Sequence, residues 1–409
     1  MKPIRFGICA LAVFAVAAFG GVEWWAAGIL EIGAAGLFLL WGIRAVCERR
    51  AEITPNWLYL PLLGVAALIA IQSFFGLSAY PYATKIELLK YAAYLLLSFL
   101  SVEAFRTGRE RNTFAWFLIT LSFAFALFGI AQSLTFNGKL YWLIPLPDGA
   151  EPFGPFVNRD HFAGFVELTA PLGLAMLYGG ACRRDKTGLL SLLSAVPIVA
   201  LLLSGSRGGM IGFLVALAVV VVLSRPSRMG KKKLLGAVTA GIVVGAFAVW
   251  LGAGRSIGRL AEIPSGALTR SQRVAMDRDT WRIFVDHKRM GTGLGTLETV
   301  YPKFASFYDG RVVDHAHNDY LEFIAETGVI GGVLGAGFIA LLLGQGIRNL
   351  QAADASDRAY IAGALAACAA LLAHSFVDFN FHIPSNAMLF LILATLATAN
   401  RSGCEATLD

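Results

Sequence analysis

Apolar runs of roughly 20 residues recur along this chain, the length an α-helix needs to cross the hydrocarbon core of a bilayer, about 30 Å thick. They fall at 6–22, 25–46, 57–77, 87–105, 113–133, 161–181, 188–204, 209–224, 234–252, 320–347, 359–377 and 385–400. Lipid offers no partner to an unpaired backbone amide, so each run is expected as a helix. The predicted fold is all-α, a polytopic membrane protein with about twelve transmembrane helices. Composition agrees. Of 409 residues, 57% are hydrophobic and 15% charged, against about 25% charged in a soluble domain. That excludes an ordinary soluble enzyme, a disordered chain and a nucleic-acid binder.

Lys and Arg set the expected orientation. With the N-terminus inside, the inside loops hold Arg44, Arg49 and Arg50, then Arg106, Arg109 and Arg111, then Arg183, Arg184 and Lys186. Further inside loops hold Arg225, Arg228 and Lys231 to Lys233, then Arg348 and Arg358, while the short outside loops hold few, notably Lys85 and Lys139. Both termini are therefore expected in the cytoplasm, and the net charge of +7 reads as cytoplasmic loop charge. The basic start, Met1 to Arg5, runs into apolar sequence with no A-x-A cleavage site and reads as a first transmembrane helix. The five cysteines, Cys9, Cys47, Cys182, Cys368 and Cys404, form no CxxC pair and suggest neither a disulfide framework nor a zinc site.

Two outside segments, 134–160 and 253–319, exceed simple connectors. Long ordered loops usually carry function. The second holds Arg255, Arg259, Arg270, Arg273, Arg278, Arg282, Lys288, Arg289, Lys303 and Arg311. A short helix is expected around Thr280–Val285, and a turn at Gly291-Thr-Gly-Leu-Gly295.

Five stretches on the outer face carry chemistry. In Ser204-Gly-Ser-Arg207-Gly-Gly209, an Arg stands at a helix junction, either as an anion site or snorkelling to headgroups. Its glycines allow close backbone approach to a ligand, and a guanidinium suits bidentate capture of phosphate. Arg273, Arg278 and Arg282 are spaced by five and four, near one helix face, and could neutralise a pyrophosphate or merely solvate a surface. In Asp314-His-Ala-His317-Asn318-Asp-Tyr-Leu321, an HxH pair could chelate a metal, but one imidazole is better used for proton transfer. Glu326, deep in the following helix, calls for an Arg, Lys or polar partner. His374-Ser-Phe-Val-Asp378-Phe-Asn380-Phe-His382 interleaves rings and hydrogen-bonding groups as a sugar site does. Arg159 lies in Gly154-Pro-Phe-Val-Asn-Arg159-Asp-His-Phe-Ala-Gly164, with Glu167 about two turns deeper.

Taken together and in this order, these stretches resemble the O-antigen ligase / O-antigen polymerase superfamily of bacterial glycan transferases. Ser206-Arg207-Gly208 resembles its SRG, and Arg273 with Arg278-Asp-Thr-Trp-Arg282 and the 291–295 turn resembles its Arg-rich helix and GxGxG. His317-Asn318-Asp-Tyr-Leu, then Glu326, Gly328 and Gly331, resembles its HNxxLxxxxExGxxG signature. The 154–164 and 374–386 stretches resemble a branch found with exopolysaccharide clusters. The chain departs at Lys288-Arg-Met290, where many relatives place a Pro, and at Asp160, where an Asn is common.

The resemblance implies a transferase of the bacterial inner membrane, with its active site facing the periplasm and no cofactor or metal. The donor would be a glycan on undecaprenyl pyrophosphate. The acceptor would be a glycan, lipid A–core or another hydroxyl, with membrane lipid around both. It implies Arg207 and Arg273 on the pyrophosphate, and His317 as base for the acceptor hydroxyl or as the group that orients it. Arg159, Arg278, Arg282, Asn318, Asp378, Asn380 and His382 would contact phosphate or glycan. The chain would divide into N-terminal helices at 1–133, a ligase-like region at 134–400 with a periplasmic helical subdomain at 253–319, and a cytoplasmic tail at 401–409. The competing reading is a transporter or flippase for lipid-linked glycans, since twelve helices is a common transporter count. A scaffold would need no such Arg/His set.

Overall fold

The computed structural model describes residues 1–49, 53–146, 150–224, 266–307 and 312–399. The apolar run at 234–252, the basic residues Arg225 to Arg259 and the 401–409 tail lie outside the described residues. Thirteen α-helices appear among the described residues. They are α1 Lys2–Ala17, α2 Trp24–Cys47, α3 Tyr59–Phe74, α4 Pro81–Ala104, α5 Gly108–Leu134, α6 Arg159–Tyr178, α7 Thr187–Ser204 and α8 Arg207–Leu223. There follow α9 Gly266–Asp286, α10 Leu297–Val300, α11 Asp319–Ala352, α12 Ala355–His374 and α13 Pro384–Thr398. A two-residue hairpin, β1 Lys139–Leu140 with β2 Ile144–Pro145, lies between α5 and α6.

Every predicted apolar run among the described residues coincides with a helix. Among the described residues, five spans are long and apolar enough to cross a membrane: Trp24–Cys47, Gly108–Leu134, Arg184–Ser204, Asp319–Ala352 and Ala355–His374. Tyr59–Phe74, Arg207–Leu223 and Pro384–Thr398 are apolar but shorter. The chain is thus an all-helical, polytopic protein with fewer full-length spans described than the twelve expected.

The helices sort into a buried centre and an apolar rim. From His161 to Tyr178 every residue of α6 is buried, and so is every residue of α13. α6 packs against α7, α8, α12 and α13. By contrast, α2 exposes Trp24, Ile29, Ile32, Leu39, Ile43 and Val46. An apolar helix exposed along its length fits a lipid-facing position.

One end of the bundle is tied by charges. Arg111 pairs with Asp357 at 2.6 Å, and Arg5 donates to the Ala104 carbonyl at 2.8 Å and pairs with Glu110. The start of α1, end of α4, start of α5 and start of α12 therefore meet. α5 opens with a capping box, Thr107 Oγ1 accepting from Glu110 N and Glu110 returning to Thr107 N.

Ile283, Leu297, Val300, Tyr301 and Ala316 of the long segment form a small core with Ala325 of α11. The expected helix near 280–285 is the last part of the longer α9.

Candidate active site

The α12–α13 turn, 375–383, is the floor of the site. Asp378 and Asn380 lie there, 2% and 0% exposed. Asp378 Oδ1 accepts from Phe379 N at 2.9 Å and meets His317 Nδ1 at 3.3 Å. Asn380 Oδ1 accepts from Asn386 Nδ2 at 3.0 Å, and Asn386 also donates to the His161 carbonyl. Both side chains face protein. α6 packs beneath the turn, with the His161 carbonyl on Asn386 and Gly164 against Asn380.

His382, half-buried, is likewise engaged. Its Nδ1 meets Asp319 Oδ1 at 3.0 Å and its Nε2 meets Glu322 Oε1 at 3.2 Å. His315 Nδ1 meets the same Glu322 oxygen at 2.8 Å, and Glu322 Oε2 accepts from Ala316 N. Burial alone would lower the His382 pKa, but Glu322 and Asp319 outweigh it and hold the imidazole well above its ordinary value. This network fixes the strand of chain that presents His317. Phe379 is the hub: its ring lies 4.9 Å from His161, 4.7 Å from His315 and 4.9 Å from His317.

His317 is half-buried and adopts a positive φ of 52°. Asn318 caps α11, its Oδ1 accepting from Leu321 N at 3.2 Å, so part of its expected binding capacity is spent on the helix. Asp277 of α9 lies among Arg273, Asn318 and His317, and its burial raises its pKa against those groups.

Two arginines border the floor. Arg273 is exposed and its Nη1 reaches the Val377 carbonyl at 3.4 Å. Arg207 is exposed at the first position of α8. A Cβ built on Gly208 would lie 2.5 Å from the His374 ring and 3.0 Å from Val377, and one on Gly212 would collide with Glu167. Gly208 makes room for His374, and Gly212, beyond the motif, for Glu167. Arg159 is half-buried, paired with Glu151 at 2.9 Å and close to Gly205.

Arg278 and Arg282 part company with Arg273. Five residues of helix rotate about 140°, and Arg282 is paired with Asp279 at 3.3 Å. Asp279 is fully buried and accepts from Ser306 N and Oγ, both at 2.8 Å. That pairing serves the small core. Arg278 is exposed.

Glu326 finds its polar partner in backbone. Its carboxylate accepts from Gly295 N at 2.9 Å and Leu297 N at 2.8 Å. Gly291, Gly293 and Gly295 all have positive φ (71°, 105° and 77°), so the turn needs glycine, and Glu326 clamps it to α11.

Sequence reasoning missed the pair His374–Glu167, Nδ1 to Oε2 at 3.0 Å with both side chains buried. The signal was present: a buried-position Glu in α6 and a His four residues before Asp378. It also missed Asp277, and the part played by His315, Asp319 and Glu322.

No curated protein matches the chain. Residues 191–336 match the family described as O-antigen ligase. The matched segment contains Arg207, Arg273, His317 and Glu326, so over this region the chain is similar to O-antigen ligases.

Proposed function

We propose that the chain transfers a glycan from an undecaprenyl-pyrophosphate carrier onto an acceptor hydroxyl at the periplasmic face of the bacterial inner membrane. The match of residues 191–336 to the O-antigen ligase family supports a glycan transferase of the ligase/polymerase type. The observation that carries the finer reading is the placement of His317, held by Asp378, beside a turn bordered by Arg207 and Arg273.

In this reading the acceptor oxygen attacks the anomeric carbon, and the bond from that carbon to the pyrophosphate oxygen breaks, with inversion. The acceptor proton passes to His317, whose ring is oriented from behind by Asp378. The charge growing on the departing lipid pyrophosphate falls to Arg207 and Arg273, with Arg159 nearby. Fixed guanidiniums stabilise such charge without reorganising. Asp277 lies among Arg273, Asn318 and His317. A polymerase, using a second lipid-linked repeat as acceptor, is favoured over a ligase by the resemblance of the 374–386 stretch.

The experiment is the glycan profile of a strain lacking the gene, complemented with wild type, Arg207→Ala or His317→Ala at matched membrane levels. Loss of polymer with accumulation of single lipid-linked repeats identifies a polymerase. Loss of capped lipid A–core with accumulation of lipid-linked polymer identifies a ligase. Full complementation by both variants rejects the mechanism and moves the flippase reading ahead.

A further inference from the structure

We propose that Asp160, His374 and Asp378 form a binding site for one divalent transition-metal cation, set behind the His317 imidazole. The three offer a carboxylate oxygen, a ring nitrogen and a carboxylate oxygen within 4.8 Å of one another. His374 and Asp378 are 1% and 2% exposed, yet His374 Nε2 and Asp378 Oδ2 have no hydrogen-bond partner. They face each other at 3.8 Å, too far for a hydrogen bond. Two atoms that each sit about 2.0–2.2 Å from one ion lie about 3–4 Å apart. The gap has the size of a cation, and buried polar atoms are seldom left unpaired.

The other sides of these ligands are already held. His374 Nδ1 is bound to Glu167 at 3.0 Å. A buried carboxylate on one ring nitrogen fixes the tautomer and leaves the other nitrogen's lone pair for a metal. Asp378 Oδ1 is taken by Phe379 N and His317, which leaves Oδ2 to the gap. Gly208 leaves the ring uncovered on the α8 side, where a Cβ would lie 2.5 Å from Nε2. Asp160, half-buried at the start of α6, opens the site to solvent. Three carboxylates, Asp160, Glu167 and Asp378, surround one imidazole, and a dication offsets that excess. One nitrogen and two oxygens, with positions left for water, suit Mn²⁺ or Zn²⁺.

A second cluster, His315, Glu322 and His382, has comparable spacing. Its ligand atoms are already hydrogen-bonded to one another, so it lacks the unfilled gap. At the proposed site the cation touches no pyrophosphate. It fixes the carboxylate that orients His317, and so departs from the metal-free chemistry that the resemblance implies. The site stands independently of the transferase reading, because binding is measured without glycan.

The test uses the full-length protein, purified in detergent, stripped with EDTA and titrated with MnCl₂ while free Mn²⁺ is followed by electron paramagnetic resonance. One Mn²⁺ per chain is expected, displaced by ZnCl₂, with a pulsed-resonance ¹⁴N signal from a single imidazole. Asp160→Asn, nearly isosteric and half-exposed, is expected to weaken binding about tenfold or more. His374→Gln removes the ¹⁴N signal, and His315→Gln leaves binding and signal intact. Size exclusion and circular dichroism verify that each variant is folded, and Asp160→Asn carries the test if His374→Gln does not fold. The proposal fails if folded wild type holds no more Mn²⁺ or Zn²⁺ than Asp160→Asn. It also fails if binding survives Asp160→Asn but disappears in His315→Gln.

Discussion

His317 sits in a left-handed backbone conformation, which costs a side-chain-bearing residue about 1–3 kcal/mol and persists only where surroundings enforce it. Here the enforcement is visible: Asp319 N donates to the Ser375 carbonyl at 3.0 Å and Glu322 accepts from Ala316 N at 2.8 Å, one on each side of residue 317. The imidazole is then met by Asp378. If proton transfer is its role, His317→Ala lowers polymer formation in membranes by about 10²–10⁴-fold, while His317→Asn keeps the backbone and loses the same activity. Wild-type rates in the asparagine variant would refute the role. The His382 pair gives a pH signature. Its charged groups, Asp319 and Glu322 on α11 with the His315 ring beside them, hold its pKa well above the ordinary 6.5. A group raised in the folded state contributes stability that is complete below its unfolded pKa and is lost as pH rises through the folded one. The thermal stability of wild type over His382→Gln is therefore expected to be constant in mild acid and to shrink toward alkaline pH. A gap that widens on alkalinisation would contradict the pairing.

At the scale of elements, α8 shows what a short motif leaves out. Ser206-Arg207-Gly208-Gly209 reads as an anion loop, and Arg207 stays open to a ligand, but Gly208 and Gly212 are used to seat His374 and Glu167. Nothing in one strand of sequence announces which neighbour a glycine will face. The same limit hid the 375–383 turn. Its mix of Asp, Asn, His and aromatics looks like a sugar site, and only the passage of α6 beneath it buries Asp378 and Asn380. Gly212→Ala is expected to destabilise the protein by about 1–3 kcal/mol, the cost of overpacking a close helix contact, seen as a lower melting temperature in detergent. An unchanged melt would mean the α8–α12 contact relaxes freely. The Glu326 clamp was half legible: burial demanded a partner, but two amides of a distant turn cannot be read from spacing. Glu326→Ala leaves Gly295 N and Leu297 N without their acceptor, at about 1–3 kcal/mol for each buried group left unpaired. Faster hydrogen exchange confined to 291–300 would report it, and exchange rising equally everywhere would show that the clamp is not local.

For the whole molecule, the helices were legible because a bilayer leaves an apolar run few alternatives to helix. What hydropathy could not separate is the lipid-facing rim from the buried centre, since α2 and α13 are both apolar yet one is largely exposed and the other wholly buried. Charge supplied the missing dimension. The basic loops at 106–111 and 348–358 lie at the end where Arg111 holds Asp357, while His317, Arg207 and Arg273 gather at the α12–α13 turn, at the opposite end of α12. If the first end is cytoplasmic, the natural Cys47, exposed at the end of α2, is shielded from a membrane-impermeant maleimide in intact spheroplasts. A cysteine placed at Val312, which is 72% exposed on the chain leading to His317, reacts in the same cells. Each would be tested as the single cysteine of an otherwise cysteine-free chain, with permeabilised cells to show that both can react. Labelling of Cys47 before permeabilisation, with Val312→Cys silent, would invert the topology. It would also remove the periplasmic donor from the mechanism, because the arginines and His317 would then face the cytoplasm.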